Sequence, residues 1–230
     1  MKAAAIVAAA GTGLRMKNET RKQYLILAGK SVLAHSLNLF LDYSGFETVI
    51  AVIPPGEEDA VKKLIGPLCP AEQVTLVAGG SSRQESVRRG LAQVPDWVDL
   101  VCIHDAARPL ASPALLKNLL LAAEEFGAAI PVIAVSDTVK EINNEGFVTA
   151  TPSRDRLRLV QTPQVFRREI LKKAFEMARQ SGFEATDDAS LVEAAGFAVK
   201  TIPGETANLK ITTPLDLIMA MQLLKGVDKR

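Results

Sequence analysis

Short apolar runs rich in β-branched residues alternate along this chain with longer stretches whose apolar positions recur at helical spacing. The first kind suits strands covered on both faces, and the second suits the crossover helices that cover them. Strands are predicted at Ala3–Ala9, Thr48–Ile53, Val74–Ala78, Leu100–His104, Ala128–Ala134 and Ala198–Ile202. Helices are predicted at Ser31–Tyr43, Glu57–Ile65, Ser82–Val94, Pro113–Phe126, Arg167–Ser181, Ala189–Ala195 and Pro214–Leu224. That order implies a three-layer α/β fold, its twisted sheet mostly parallel and its crossovers right-handed.

One segment interrupts the alternation. Residues 135–163 carry no helical period, and Asn143-Asn144-Glu145-Gly146 is turn chemistry between two β-prone flanks. An antiparallel β-arm inserted over residues 136–158 is expected. Two readings of it stand: a dimerisation element, or an exposed hairpin with no further role.

At 230 residues and 48% hydrophobic content the chain has enough apolar side chain for one substantial core, so a single domain over residues 1–230 is expected. A net charge of +1 lacks the basic footprint of a nucleic-acid binder or a polybasic membrane anchor. Any anionic partner must therefore be met locally. Cys69 and Cys102 are too few for a disulfide framework or a zinc site, which favours a reducing compartment. MKAAAIVAAA imitates a secretory leader, yet it runs into Gly-Thr-Gly and Arg15 without a cleavage region and reads better as a buried strand. No apolar run approaches the roughly 20 residues that span a bilayer. A cytoplasmic protein is expected.

Candidate chemistry lies in the loops after the strands, where open parallel sheets bind ligands. AAAGTGLRMKNETRKQY, residues 8–24, begins like a dinucleotide loop, but Met16 stands where the third glycine belongs. A P-loop pattern is absent as well. What remains is a small-residue loop that lets backbone amides approach an anion, followed by Arg15 and Lys22, a planar fork and a point charge suited to polyphosphate. Two solvated loop cations are the plainer alternative. IHDAARP, residues 103–109, ends the fourth strand with Asp105, a carboxylate suited to Mg2+, or to capping a helix, or to pairing with Arg108. His104 is read as oriented structure, since no nucleophile motif accompanies it. GGSSRQES, residues 79–86, offers close backbone approach at Gly79 and Gly80 and hydroxyls at Ser81, Ser82 and Ser86. A Ser82–Glu85 capping box explains part of the same pattern. Arg154, Thr162, Thr186, Asp187 and Lys210 complete the polar positions, with Thr186 as a possible helix cap and Lys210 on a β-like stretch before the last helix.

Taken in order, AAAGTGLRM, RKQY, GGSSRQESV, IHDAARP, SDTVK, QTPQVF, ATDDAS and NLKIT resemble the motifs of the 2-C-methyl-D-erythritol 4-phosphate cytidylyltransferase family over nearly the whole chain. IHDAARP is the most specific of them. The resemblance implies a Rossmann-like nucleotidyltransferase domain, a homodimer held partly by the arm, CTP as cosubstrate and Mg2+ as cofactor. It implies that Arg15 and Lys22 stabilise the triphosphate and the charge developing on it, and that Arg154 and Lys210 position the methylerythritol phosphate. Thr138, Thr162, Thr186 and Arg108 are further implied contacts to that acceptor. Ala9, Ala10, Gly11, Thr12, Gly13, Gly80 and Ser86 would hold cytosine and ribose, with Lys210 also on the CTP side. Asp105 and Ala106 would lie beside metal and ribose. Many family members carry an acidic residue where this chain has Ser81, and a base contact through that carboxylate is lost here.

Two rivals follow from the same residues. A cytidylyltransferase for another polyol phosphate, such as ribitol 5-phosphate, shares much of the pattern. An NAD-dependent oxidoreductase would need a third glycine and an acidic ribose ligand, for which Glu47, before the second strand, is poorly placed.

Overall fold

AAAIVA has no polar side chain to place at a surface, and it forms β1 (Ala3–Ala8), the strand around which the sheet is built. The computed structural model describes residues 1–11, 21–66, 69 and 73–227. β1 pairs in parallel with β4 (Phe46–Ile53) on one side and β6 (Leu100–Asp105) on the other, and β4 pairs in parallel with β5 (Val74–Ala78). Between the first two strands of that set lies a short hairpin, β2 (Ile26–Leu27) with β3 (Lys30–Ser31), which the sequence reading did not anticipate.

Alternate side chains of β1 enter two different cores. Ala3, Ala5 and Val7 pack with Leu33, Leu37 and Phe40 of α1 (Val32–Leu41), with Val61 and Ile65 of α2 (Glu58–Ile65), and with Leu115, Leu116 and Leu119 of α4 (Pro113–Phe126). Ala4 and Ile6 pack with Val87 and Leu91 of α3 (Arg83–Leu91), with α5 (Arg168–Ser181) and with α6 (Asp188–Ala194). A sheet covered on both faces is the three-layer arrangement the apolar runs imply. Several predicted helices start one residue early because Ser31, Ser82, Glu57 and Arg167 occupy the N-cap position rather than the first turn.

The other half of the sheet departs from a simple α/β alternation. β7 (Ala128–Ala134) does not pair with β6; β11 (Gln164–Arg167) lies between them and runs antiparallel to both. β10 (Arg158–Val160) continues along the same side of β7, and β12 (Lys200–Pro203) pairs with β7 in parallel. β11 was not predicted: four residues beside Pro163 and running straight into a helix give too short a period-2 signal. The last helix, α7 (Pro214–Val227), packs through Ala220 against Leu27, Val32 and Ile211.

The expected hairpin is present as β8 (Glu141–Ile142) and β9 (Val148–Ala150). Asn143 builds its turn, accepting at Oδ1 from the N–H groups of Glu145 and Phe147, while Gly146 takes a φ of 87°. Residues 140–151 are all exposed, including Ile142, Phe147 and Val148.

Candidate active site

The C-terminal ends of β1, β5 and β6 open onto one cavity of about 340 Å³. It is lined by Ala9, Ala10, Gly11, Lys22, Gly80, Ser86, Asp105, Ala106 and Lys210, all expected from the sequence, by Ser81 and Ser82, whose hydroxyls were candidates, and by Gln23 and Arg83, which were not assigned roles. Thr12, Gly13 and Arg15 fall outside the described residues.

Lys22 reaches this cavity on a short 3-10 turn, Lys22–Tyr24, that is fastened on both sides. Gln23 is buried and donates from Nε2 to the carbonyls of Ala9 at 2.6 Å and Gly11 at 3.1 Å. Arg21 and Tyr24 both donate to Glu57, at 3.0 and 2.7 Å. A lysine between such anchors is presented by the backbone rather than carried on a loose loop. The missed signal was RKQY itself, where an amide beside a cation can close a loop onto the strand end before it.

Gly79 closes the opposite wall. A Cβ there would lie 2.4 Å from the Ala10 Cβ, so only glycine lets the loops after β1 and β5 touch. Ser86 accepts from the Gly80 N–H at 3.0 Å and donates to the Ser82 carbonyl at 2.8 Å, which commits its hydroxyl to shaping the loop. Ser82 caps α3 by accepting from the Glu85 N–H. The reciprocal half of the expected capping box is replaced, since the Glu85 carboxylate turns to Arg88 and Arg89.

Asp105 carries the strongest electrostatics of the cavity. Its carboxylate is nearly buried and accepts from Arg83 Nε at 3.3 Å on Oδ1 and from Lys210 Nζ at 2.6 Å on Oδ2. Burial favours its protonated form, but Arg83 and then Lys210 outweigh it and hold the carboxyl well below the usual range. Arg83 in turn donates to Asp188 at 2.7 Å. Asp188 is fully buried, and desolvation raises its pKa although Arg83 opposes this. The two carboxylates shift in opposite directions because Asp105 has two cations at hand and Asp188 shares one. Lys210 is held in reach because Ile211 donates its N–H to the Ala107 carbonyl; the stretch around it forms no strand.

Behind Asp105, Thr162 is 5% exposed, and its hydroxyl oxygen accepts from the Asp105 N–H at 2.9 Å. His104 Nε2 lies 3.0 Å from the Arg108 carbonyl, which can only accept, so Nδ1 is the nitrogen that receives the Thr162 hydroxyl at 3.1 Å. Burial lowers the His104 pKa to about 4, against the opposing hydrogen bond to Arg108, which leaves a neutral ring in an oriented structural role. Arg108 donates to the carbonyls of Asn208 and Val160, stapling the loop before Lys210 to β10.

Several expected acceptor residues are not brought to the cavity. Arg154 is exposed at the base of the arm and donates to the Ser136 carbonyl, and Thr138 is exposed nearby. Thr162 and Arg108 are engaged as just described and are not among the residues that line the cavity. Thr186 is exposed, and the cap of α6 is Asp187, which accepts from the Ser190 N–H in a capping box. Glu47, the residue an NAD reading would need, lies at the start of β4 beside Lys2, at the opposite strand end from the cavity.

The model of the IspD family, 2-C-methyl-D-erythritol 4-phosphate cytidylyltransferase, matches residues 3–226. The chain belongs to this cytidylyltransferase family. An enzyme of that name from Desulforamulus reducens is 44% identical over 223 residues, covering 96% of this chain and 95% of the relative. One from Pelotomaculum thermopropionicum is 45% identical over 226 residues, covering 98% and 95%. Among solved structures, the Thermus thermophilus enzyme of that name superposes with a TM-score of 0.80 at 35% identity, covering 98% of this chain and all of that one. The 4-diphosphocytidyl-2C-methyl-D-erythritol synthase of Anaerococcus prevotii gives 0.84 at 32% identity, covering 97% and 98%. As a member of the IspD family the chain is a nucleotidyltransferase with CTP as cosubstrate. No helix among the described residues is long and apolar enough to cross a membrane.

Proposed function

We propose that this enzyme transfers CMP from CTP to 2-C-methyl-D-erythritol 4-phosphate, giving 4-diphosphocytidyl-2-C-methyl-D-erythritol and pyrophosphate. The observation that carries the reading is the convergence of Lys22, Asp105, Lys210 and the Gly80–Ser86 loop on one cavity at the strand ends. The acceptor brings its own nucleophile, a phosphate monoester oxygen largely ionised at neutral pH. Its attack on the α-phosphorus of CTP forms one P–O bond as the bond to pyrophosphate breaks, and no general base is required. Catalysis then consists of positioning and charge stabilisation.

In this scheme Lys22 and Arg15 take the charge that moves onto pyrophosphate. Ala9 to Gly13, Gly80, Ser86 and Ala106 hold cytosine and ribose, largely through backbone groups. Lys210 meets acceptor phosphate, and Thr162 acts through Asp105, whose N–H it fixes. Arg108, Thr186, Thr138 and Arg154 complete the acceptor side, the last two from the arm. Exposed Ile142, Phe147 and Val148 support a homodimer in which the arm of one protomer reaches its partner. A cytoplasmic location agrees with two buried free cysteines.

The reading includes Mg2+. Among the described residues no group of three His, Cys, Asp or Glu side chains converges, and Asp105 is the single carboxylate on the cavity. That fits a cation held chiefly by phosphate oxygens and water, with Asp105 as its protein ligand. When bound, the ion would neutralise charge on the triphosphate.

The decisive experiment measures pyrophosphate release from CTP with 2-C-methyl-D-erythritol 4-phosphate and with ribitol 5-phosphate, side by side. Faster turnover of the first is expected. Preference for the second would replace this acceptor by the rival polyol phosphate.

A further inference from the structure

Nothing in the transfer just described uses Arg83 or Asp188, yet they complete a line of alternating charge that ends in the cavity. Lys210, Asp105, Arg83 and Asp188 follow one another at 2.6, 3.3 and 2.7 Å. The far end is fixed: Asp188 is 1% exposed, and Gln164 on β11 accepts from the Ala189 N–H and donates to Asp187, tying down the start of α6. The near end is open, with the Lys210 side chain 38% exposed.

We infer that Arg83 is a positioning residue: it keeps one oxygen of Asp105 against the cavity wall so that Lys210 can release the other and turn to a substrate phosphate. The inference rests on the cytidylyltransferase reading of the cavity. A nearly buried carboxylate with one ammonium partner would grip it with both oxygens, and giving that partner up would strand a charge out of water. Arg83 removes this obstacle, because Asp105 retains a charge-assisted hydrogen bond when the lysine leaves. The residue has to be arginine: its planar fork reaches Asp105 and Asp188 at once, through Nε and Nη2, which a single ammonium cannot do.

The test uses the full-length protein. R83Q/D188N replaces the pair with two amides, and melting temperature shows whether the fold persists. R83K keeps a cation beside Asp188 and is the second variant. In both, KM for the phosphate acceptor is expected to rise about tenfold, the effect of one charge-assisted hydrogen bond, with a smaller change in KM for CTP. A merely structural role would lower the melting temperature and leave that split unmoved. A wild-type acceptor KM in either folded variant overturns the inference. A second readout needs no turnover: reductive 13C-methylation followed by NMR at one fixed pH as inorganic phosphate is added, with K210R identifying the Lys210 signal. In R83Q/D188N the phosphate concentration that half-shifts that signal is expected to rise about tenfold over wild type, since Asp105 then keeps Lys210 to itself; an unchanged phosphate dependence also overturns the inference. If wild-type enzyme transfers no CMP, the cytidylyltransferase reading fails, while the phosphate dependence of the Lys210 signal still decides whether Arg83 frees Lys210 from Asp105.

Discussion

The cavity wall and the arm both carry hydrogen-bonded polar side chains, and they are built in opposite ways. Around the cavity, buried polar side chains are tied across long sequence distances: Gln23 to Ala9, Thr162 to Asp105, Gln164 to Asp187, Arg83 to Asp188. In the arm the bonds stay local, as between Asn143 and Phe147 or Lys140 and Thr151, and the side chains face outward. A group that must meet a reacting phosphate within a fraction of an ångström needs the first kind of support. The second kind suits a surface completed by something outside the protomer. On the proposed function, the cavity would hold the nucleotide by itself, whereas Thr138 and Arg154 would act only once the arm has docked.

The largest test of that contrast is at the cavity. Lys22→Ala is expected to lower kcat by about 10² to 10³, as for removal of one preorganised donor, with melting temperature nearly unchanged. Steady-state kinetics check it, and near-normal kcat would remove Lys22 from the mechanism. Arg15→Ala is expected to behave in the same way.

The next effect is on stability and concerns His104. Its folded pKa of about 4 lies below the ordinary 6.5, so between these values the unfolded chain binds a proton that the folded protein refuses. His104 therefore contributes stability that is fully present above pH 6.5 and is lost as pH falls toward 4, about 3 kcal/mol in all. Urea unfolding of wild type and His104→Gln between pH 7.5 and 4.5 should show a steeper loss for wild type. Equal slopes would mean that the ring is not held neutral.

The smallest effect is expected in the arm. Phe147→Ser with Val148→Ser should change protomer stability by no more than about 0.5 kcal/mol, the usual range for exposed positions. Sedimentation velocity should nevertheless show weaker self-association. An unchanged sedimentation profile would separate the arm from dimerisation.

The parallel half of the sheet was legible because its strands are buried on both faces and read as unbroken apolar runs, as AAAIVA does. The cavity was legible where a motif closes or directly follows such a strand, as with Asp105 and Gly80; Lys22 and Lys210 lie farther along the chain and were expected there from the family resemblance. Arg83 was not, because its meaning comes from Asp188, which is 105 residues away in sequence. No local pattern reports such a pair. Thr186 and Asp187 show the limit at short range: either could cap α6, and the side chain that accepts the Ser190 N–H belongs to Asp187.

The antiparallel β11 has a further consequence, for synthesis. β1, β4, β5 and β6 are complete once residue 105 has been made, and they can pair with one another. β7 follows soon after in the chain but joins the sheet only through β11, so it stays apart from those strands until residues 164–167 emerge. For roughly thirty residues of translation, at about 5–20 residues per second, the growing protein carries an apolar strand with no place in the sheet. That interval of a few seconds is when the nascent chain most needs shielding from its neighbours.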